Sequence, residues 1–285
     1  MSRIVYVNGA YVPEAEAKIS VFDRGFLFAD AVYEVTTVLG GRLVDFHAHM
    51  ARLDRSLAEL KLPAPVSHDA LLAIHREIVA RNGLDEGLIY MQVTRGAADR
   101  DFLFPPEDTT PSLVLFTQAM ALRDKPAARK GIRVASVPDL RWGRRDIKTV
   151  QLLYPSMAKT EAVRQGADDA WLVEDGVVTE GTSNNAHIVT ADGTLITRNL
   201  SHAILHGITR AVVLRLAAES GLKIEERPFT LAEAKLAKEA FITSASAFVL
   251  PVISIDGTTL GDGKPGPVAL RLREIYLAEA DRTAI

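Results

Sequence analysis

Residues 146–153, DIKTVQLL, place a lysine inside a run that otherwise alternates like a β-strand. Read as a strand over 147–154, the segment puts Lys148 on one face with Val150, Leu152 and Tyr154. Ile147, Thr149, Gln151 and Leu153 take the other face. An ammonium held among hydrocarbon is desolvated, which lowers its pKa and frees the amine for Schiff-base chemistry with a carbonyl. On an edge strand the same lysine would snorkel to water.

Three further stretches hold groups with chemical potential. In TEGTSNN, Glu180 ends a strand on the same face as Val178, so its carboxylate turns inward and needs a partner. A protonated pyridine nitrogen would serve; a turn-proximal glutamate in water is the plainer alternative. In HGITRA, Gly207, Ile208 and Thr209 open a helix whose first N–H groups and dipole favour an anion such as phosphate. TSAS, residues 243–246, brings Ser244 and Ala245 to the end of a strand, either as the rest of a phosphate cup or as a simple turn. Arg52 in HMARL lies beside the apolar stripe of its helix, able to reach inward to a phosphate or outward to water. His47 and His49 point apart on a helix and make no metal pair. No P-loop, Gly-x-Gly-x-x-Gly or Gly-x-Ser-x-Gly pattern occurs.

The elements that must position these residues are legible from turn chemistry and periodicity. Asn-Gly, Gly-Gly and Asp-Gly pairs join apolar runs at 8–9, 40–41, 175–176, 192–193 and 256–257, predicting five β-hairpins and largely antiparallel sheets. Helical patterns lie in HAHMARLDRSLAELKL, HDALLAIHREIVARNG, SMAKTEAVRQG, GITRAVVLRLAAESG, TLAEAKLAKE and GPVALRLREIYLAEA. The expected organisation is α/β (α+β): a smaller N-terminal α/β domain over 1–118, a linker over 119–130, and a larger C-terminal domain over 131–285 with mostly antiparallel strands.

Composition bounds the function. The 285 residues carry a formal net charge of −3, with Lys and Arg spread along the chain, which favours neither nucleic acid nor an anionic membrane as partner. With no cysteine, disulfides, thiolate nucleophiles and cysteine metal sites are excluded. MSRIVYVNGAYV has no apolar core of a signal peptide, and no stretch reaches membrane-helix length, so a cytoplasmic protein is expected.

Taken separately these signals leave function open, but their order does not. FDRGFLFADAVYEV, HMARL, IYMQVTRG, DIKTVQLL, VVTEGTSNNAHIV, HGITRAVV and FITSASAFVLPVISIDG together resemble the class IV aminotransferases, the fold-type IV pyridoxal phosphate enzymes. Within that class the chain is most similar to the bacterial D-amino-acid aminotransferases. The resemblance runs from about residue 4 to residue 277.

It implies pyridoxal 5'-phosphate as cofactor and no metal. Lys148 matches the lysine that holds the cofactor as a Schiff base and moves the proton. Glu180 matches the carboxylate paired with the pyridine nitrogen, and Leu205 an apolar residue against the ring. Arg52, Gly207, Ile208, Thr209, Ser244 and Ala245 match the phosphate-binding positions. Tyr33 matches a tyrosine on the substrate carboxylate side. Arg100 matches an arginine there that crosses from the partner subunit, which implies a homodimer. Amino acid and keto acid are the implied substrates, exchanged through pyridoxamine phosphate.

Two positions depart from the pattern. Phe102 stands where the D-amino-acid enzymes have histidine, leaving one donor fewer and a more apolar pocket, and Ala245 stands in place of threonine. Phe102 suits an (R)-selective amine transaminase, although Arg100 argues the other way. A branched-chain aminotransferase would show Tyr-x-Arg where this chain reads Tyr90-Met91-Gln92. An aminodeoxychorismate lyase shares the fold and lysine but eliminates pyruvate. A cofactor-binding scaffold with a dead site is the reading from outside enzymology, and the Lys148, Glu180 and Arg52 set speaks against it.

Overall fold

The computed structural model describes residues 2–285. The chain folds as two compact units. The first comprises Met1–Ala121, Ile147–Gln151 and Thr283–Ile285, and the second Leu122–Asp146 and Leu152–Arg282.

The first unit holds β1 (Ile4–Val7), β2 (Ala10–Pro13), α1 (Arg24–Phe28), β3 (Ala31–Leu39), β4 (Arg42–Val44), α2 (Phe46–Glu59), α3 (His68–Asn82), β5 (Glu86–Thr94) and β6 (Ser112–Ala119). Its strands form one sheet in the order β2-β1-β6-β5-β3-β4, and every pairing is antiparallel. Leu53 and Leu57 of α2 and Leu71 and Ile78 of α3 join Ile89 and Leu115 of the sheet in one apolar core. Helix α3 ends where its Asn-Gly pair predicts, with Gly83 taking a left-handed φ of 55° after the last turn, and at its start the Ser67 side chain accepts from Ala70 N.

The second unit holds α4 (Pro126–Lys130), β7 (Ile132–Pro138), α5 (Leu153–Arg164), β8 (Asp169–Glu174), β9 (Val177–Gly181), β10 (Asn185–Val189), β11 (Leu195–Thr197), α6 (Ile208–Glu219), β12 (Ile224–Glu226), α7 (Leu231–Lys235), β13 (Glu239–Ser244), β14 (Phe248–Ile255), β15 (Thr258–Thr259) and α8 (Pro267–Thr283). Its nine-stranded sheet runs β12-β11-β10-β13-β14-β7-β8-β9, with β15 added on β14. Most pairings are antiparallel, but β14–β7, β7–β8 and β11–β12 are parallel. Parallel neighbours need a crossover. Helix α5 supplies it between β7 and β8, packing Ala158 and Ala162 against Ala135, Ala170 and Leu172.

All five predicted hairpins form. At 8–9, 40–41, 175–176 and 256–257 both turn residues have positive φ, the twist that tight hairpins require.

Packing divides the chain differently from chain order. Residues 122–130, expected within a linker, belong to the second unit and include α4. Ile285 exchanges two backbone hydrogen bonds with Leu43, at 2.8 and 3.0 Å, which ties the C-terminus to the first unit. Ile147–Gln151 also belongs there, because it fills an edge of the first sheet. Strand β4 covers only Thr37–Leu39 of β3, leaving Ala31–Tyr33 open on that side. Tyr33 N donates to Lys148 O at 3.0 Å, and Val150 N donates to Ala31 O at 3.2 Å. A single bridge, Val32 with Thr149, results. The expected strand over 147–154 is therefore a short edge crossing, and α5 begins already at Leu153.

Candidate active site

In the first unit, the crossing carries Lys148 onto the sheet face opposite the core. Ile147 is buried in the core and Thr149 is buried beside it, whereas Lys148 and Val150 are half-buried. The alternation read from the residues is present even though the ladder is not. Lys148 Nζ lies 4.1 Å from the centroid of the Tyr33 ring. Tyr33 stacks on Tyr90 at 5.4 Å, and Tyr90 on Phe116 at 4.9 Å. The lysine amine thus rests on a floor of stacked aromatic rings. Tyr90 donates its hydroxyl to Gln92 Oε1 at 2.8 Å, and burial together with Tyr33 pushes its phenol pKa up. Gln92 faces Tyr33 directly across the β3–β5 pair.

Arg52 reaches inward from α2 and is buried. Its Nε and Nη2 form a fork on Glu34 of β3, at 2.8 and 2.7 Å. His49 Nδ1 contacts the same carboxylate at 2.7 Å. Burial pushes the Glu34 pKa up, but Arg52 and His49 outweigh it and hold the carboxyl down at about 2. A carboxylate on the core face of a strand needs such a cation. The fork fixes the guanidinium at the end of a flexible side chain.

Arg100 and Phe102 lie in the exposed loop between β5 and β6. The Phe102 ring is 81% exposed and meets Phe28 edge-on at 5.7 Å. The Arg100 guanidinium lies 5.4 Å from the Phe28 ring and 5.5 Å from the Phe102 ring.

In the second unit, the predicted residues gather around Asn185, the first residue of β10. Asn185 Nδ2 donates to Glu180 Oε2 at 2.9 Å and to Leu205 O at 3.0 Å. Asn185 also pairs across the sheet with Thr243, the neighbour of Ser244. A Cβ on Gly207 would lie 2.0 Å from Asn185 Oδ1, so glycine here serves close approach. The backbone at Gly207 is ordinary, with φ −65°. Asn185 therefore joins Glu180, the loop from Leu205 to the start of α6, and β13 at Thr243.

Glu180 is buried at the end of β9. Oε1 accepts from Arg141 Nη1 at 2.6 Å, and Oε2 accepts from Asn185 and from Leu205 N at 3.1 Å. Burial raises the Glu180 pKa, and Arg141 is the strongest influence acting against it. Helix α6 starts at Ile208 with no side-chain cap, and Thr209 is buried in its first turn. Ser244 and Ala245 are half-buried in the β13–β14 turn, where Ala247 N closes back on Ser244 O at 3.2 Å.

Comparison with known proteins bears on this arrangement. The family model for amino-transferase class IV matches residues 31–255. The chain belongs to the class IV aminotransferases. It is 37% identical over 272 residues to a D-alanine aminotransferase of Staphylococcus aureus (strain N315), covering 95% of each chain. It is 38% identical over 283 residues to a D-alanine aminotransferase of Bacillus licheniformis, covering 98% of this chain and 99% of that one. Among solved structures, it resembles a T.th. branched-chain amino acid aminotransferase with pyridoxamine 5'-phosphate. That likeness has a TM-score of 0.89 and 31% identity, and covers 99% of this chain and 95% of the other.

Class IV aminotransferases work with pyridoxal 5'-phosphate, and the groups in this member suit it. Glu180 is a buried carboxylate with an acceptor position left open, which matches a protonated ring nitrogen. The uncapped start of α6 suits an anion. Reading the residues alone missed Asn185, Arg141 and Asp139 as shapers of the site. Asn185 stood inside the quoted TEGTSNN motif, and Asp139-Leu140-Arg141 is a charged pair just after an apolar strand. Buried charges at such a place carry a signal, but their partners cannot be read locally.

Proposed function

We propose that this class IV aminotransferase moves an amino group from a D-amino acid such as D-alanine to a 2-keto acid such as 2-oxoglutarate or pyruvate, in two half-reactions. Near-full-length likeness to two D-alanine aminotransferases carries this reading. Gln92 in place of an arginine opposite Tyr33 weighs against branched-chain L-amino acids.

When bound, pyridoxal phosphate supplies the aldehyde that captures the amine and the ring that accepts the electrons left by the departing Cα proton. Lys148 is assigned the proton transfers: Nζ takes the Cα proton as general base and later returns it as general acid. Glu180 holds a proton at the ring nitrogen. Arg52, the α6 start at Gly207, Ile208 and Thr209, and the Ser244–Ala245 turn are assigned to the phosphate, and Leu205 to the ring face. Tyr33 and Arg100 orient the substrate carboxylate.

The reading includes a cytoplasmic homodimer in which Arg100 serves the neighbouring site. Its support is the exposed apolar surface beside Arg100, where Phe102 and the following Leu103 and Phe104 are all exposed. A second copy of the chain would remove that surface from water. Among the described residues no helix is long and apolar enough to cross a membrane.

Phe102 favours a second reading, an (R)-selective amine transaminase, because it offers an apolar ring where a carboxylate donor is expected. Replacing Arg100 with alanine separates the two. On the D-amino-acid reading, kcat/KM for D-alanine falls by about 100-fold, the loss of a charge-assisted contact. The rate with (R)-1-phenylethylamine is unchanged. Equal, small effects on both donors would remove Arg100 from carboxylate recognition and favour the amine reading.

A further inference from the structure

Glu180 is met by one cation among the described residues, and that cation is shared. Arg141 donates Nη1 to Glu180 and places Nε and Nη2 on Asp139, at 2.9 and 2.7 Å. Asp139 is fully buried and also accepts from Thr179 Oγ1 at 2.6 Å. Arg145 stands behind this pair. It forks onto Glu174 at 2.9 and 2.8 Å and approaches Asp139 Oδ2 at 3.4 Å. Arg198, whose Nη1 donates to Val178 O at 3.3 Å, is the third guanidinium acting on the group, and the Tyr154 phenol lies near Asp139. Three carboxylates thus face three guanidinium groups, but the sharing is unequal. Asp139 keeps Arg145 and Thr179 if Arg141 loses its charge, whereas Glu180 keeps the neutral donors Asn185 Nδ2 and Leu205 N and only the unbonded charge of Arg198.

The acceptor positions of Glu180 are nearly filled. A carboxylate offers about four. Arg141 takes one on Oε1, and Asn185 and Leu205 N take two on Oε2. One position on Oε1 is left, beside the guanidinium.

We propose that Arg141 is a positioning residue for transamination: clamped by Asp139, its guanidinium keeps Glu180 ionised and aimed so that the remaining face of Oε1 receives the N–H of the cofactor ring. This rests on the assignment of Glu180 to the ring nitrogen. Arg141 touches neither substrate nor reacting atoms in this role; it acts through Glu180. The chain uses a buried cation to hold a buried anion ready, because desolvation alone would drive that carboxyl toward its neutral form.

The test compares Arg141→Met, which keeps bulk and removes charge, with Arg141→Lys and Asp139→Asn, which keep a cation beside Glu180. The protonated-carboxyl infrared band is titrated in the cofactor-free full chain. Arg141→Met is expected to move its midpoint to higher pH by about one unit or more. The moved component is absent in Arg141→Met/Glu180→Gln. Arg141→Lys leaves the midpoint near that of the unaltered chain, and Asp139→Asn, which removes a neighbouring negative charge, does not raise it. In the loaded enzyme, the acid limb of the kcat profile moves up in Arg141→Met and returns in Arg141→Lys. An unmoved midpoint in Arg141→Met, or a moved component that survives Glu180→Gln, overturns the proposal, since the proton would then sit elsewhere. Should Arg141→Met fail to fold, Arg141→Gln, which also removes the charge, takes its place: a midpoint moved to higher pH supports the proposal and an unmoved one overturns it. Undiminished turnover in Glu180→Gln alone would instead remove the underlying assignment, whatever the infrared result.

Discussion

Replacing Lys148 with alanine is expected to lower kcat by about 10⁴-fold, the upper range for losing a positioned general acid–base group. Cofactor binding should persist. The residues assigned to the phosphate and ring nitrogen lie elsewhere in the chain, on α2, α6, β9 and the β13–β14 turn. The fold should persist too. The crossing is held by backbone hydrogen bonds from Tyr33 N and Val150 N and by buried Ile147, none of which involves the lysine side chain. The stability cost is then chiefly the lost contact of Nζ with the Tyr33 ring, about 1 kcal/mol. The measurement is steady-state turnover beside a cofactor-binding isotherm and a melting curve. Turnover near that of the unaltered enzyme would remove Lys148 from the chemistry, and a lost fold would show that the lysine is structural.

Glu180→Gln should have the second largest effect, a fall in kcat of about 10²–10³-fold, comparable to removing a preorganised electrostatic partner from other active sites. Glutamine fits the space and its Oε1 still accepts from Arg141, but its Nε2 gives up the bonds from Asn185 and Leu205 N, and it carries no charge to hold a proton on the ring. Because that charge counts most when electrons flow into the ring, kcat and kcat/KM should fall together, with KM little changed. A raised KM at constant kcat would mean that Glu180 contributes only to binding.

How much of this was legible in the amino-acid sequence depends on how local each determinant is. The hairpins at Asn8-Gly9, Asp175-Gly176 and Asp256-Gly257 are encoded by two residues each, since few side chains accept positive φ. The ends of α3 are similarly local at Ser67 and Gly83. The segment at Lys148 is different. Its alternation was readable, with Ile147 and Thr149 going inside, but strand formation needs a partner edge of matching length. The edge available on β3 is about three residues long, and it comes from a part of the chain more than a hundred residues away. The parallel pairs β14–β7 and β7–β8 were hidden for the same reason: turn residues announce hairpins, and nothing local announces a crossover partner.

The site was legible in parts. Lys148, Glu180 and the Gly207 helix start stood out because each sets a chemical group in a context that does not need it. Arg52 was readable as an arginine able to turn inward, but its fork on Glu34 was not, although a glutamate among Val32, Thr36 and Val38 on the buried face of β3 called for a cation. Asn185 and Arg141 matter through what they touch. Arg141 reaches Glu180 across 39 positions of chain, and Asn185 reaches Leu205 across 20. Such connectors become visible only when the fold brings their partners together.

The most direct test of the central claim is the visible absorbance spectrum of the purified, cofactor-loaded enzyme before and after adding D-alanine, with L-leucine and (R)-1-phenylethylamine in parallel. The account predicts that D-alanine converts the cofactor band to that of the pyridoxamine form, and that neither other amine does so at a comparable rate. Conversion by L-leucine or by the phenylethylamine, with D-alanine inert, would contradict it.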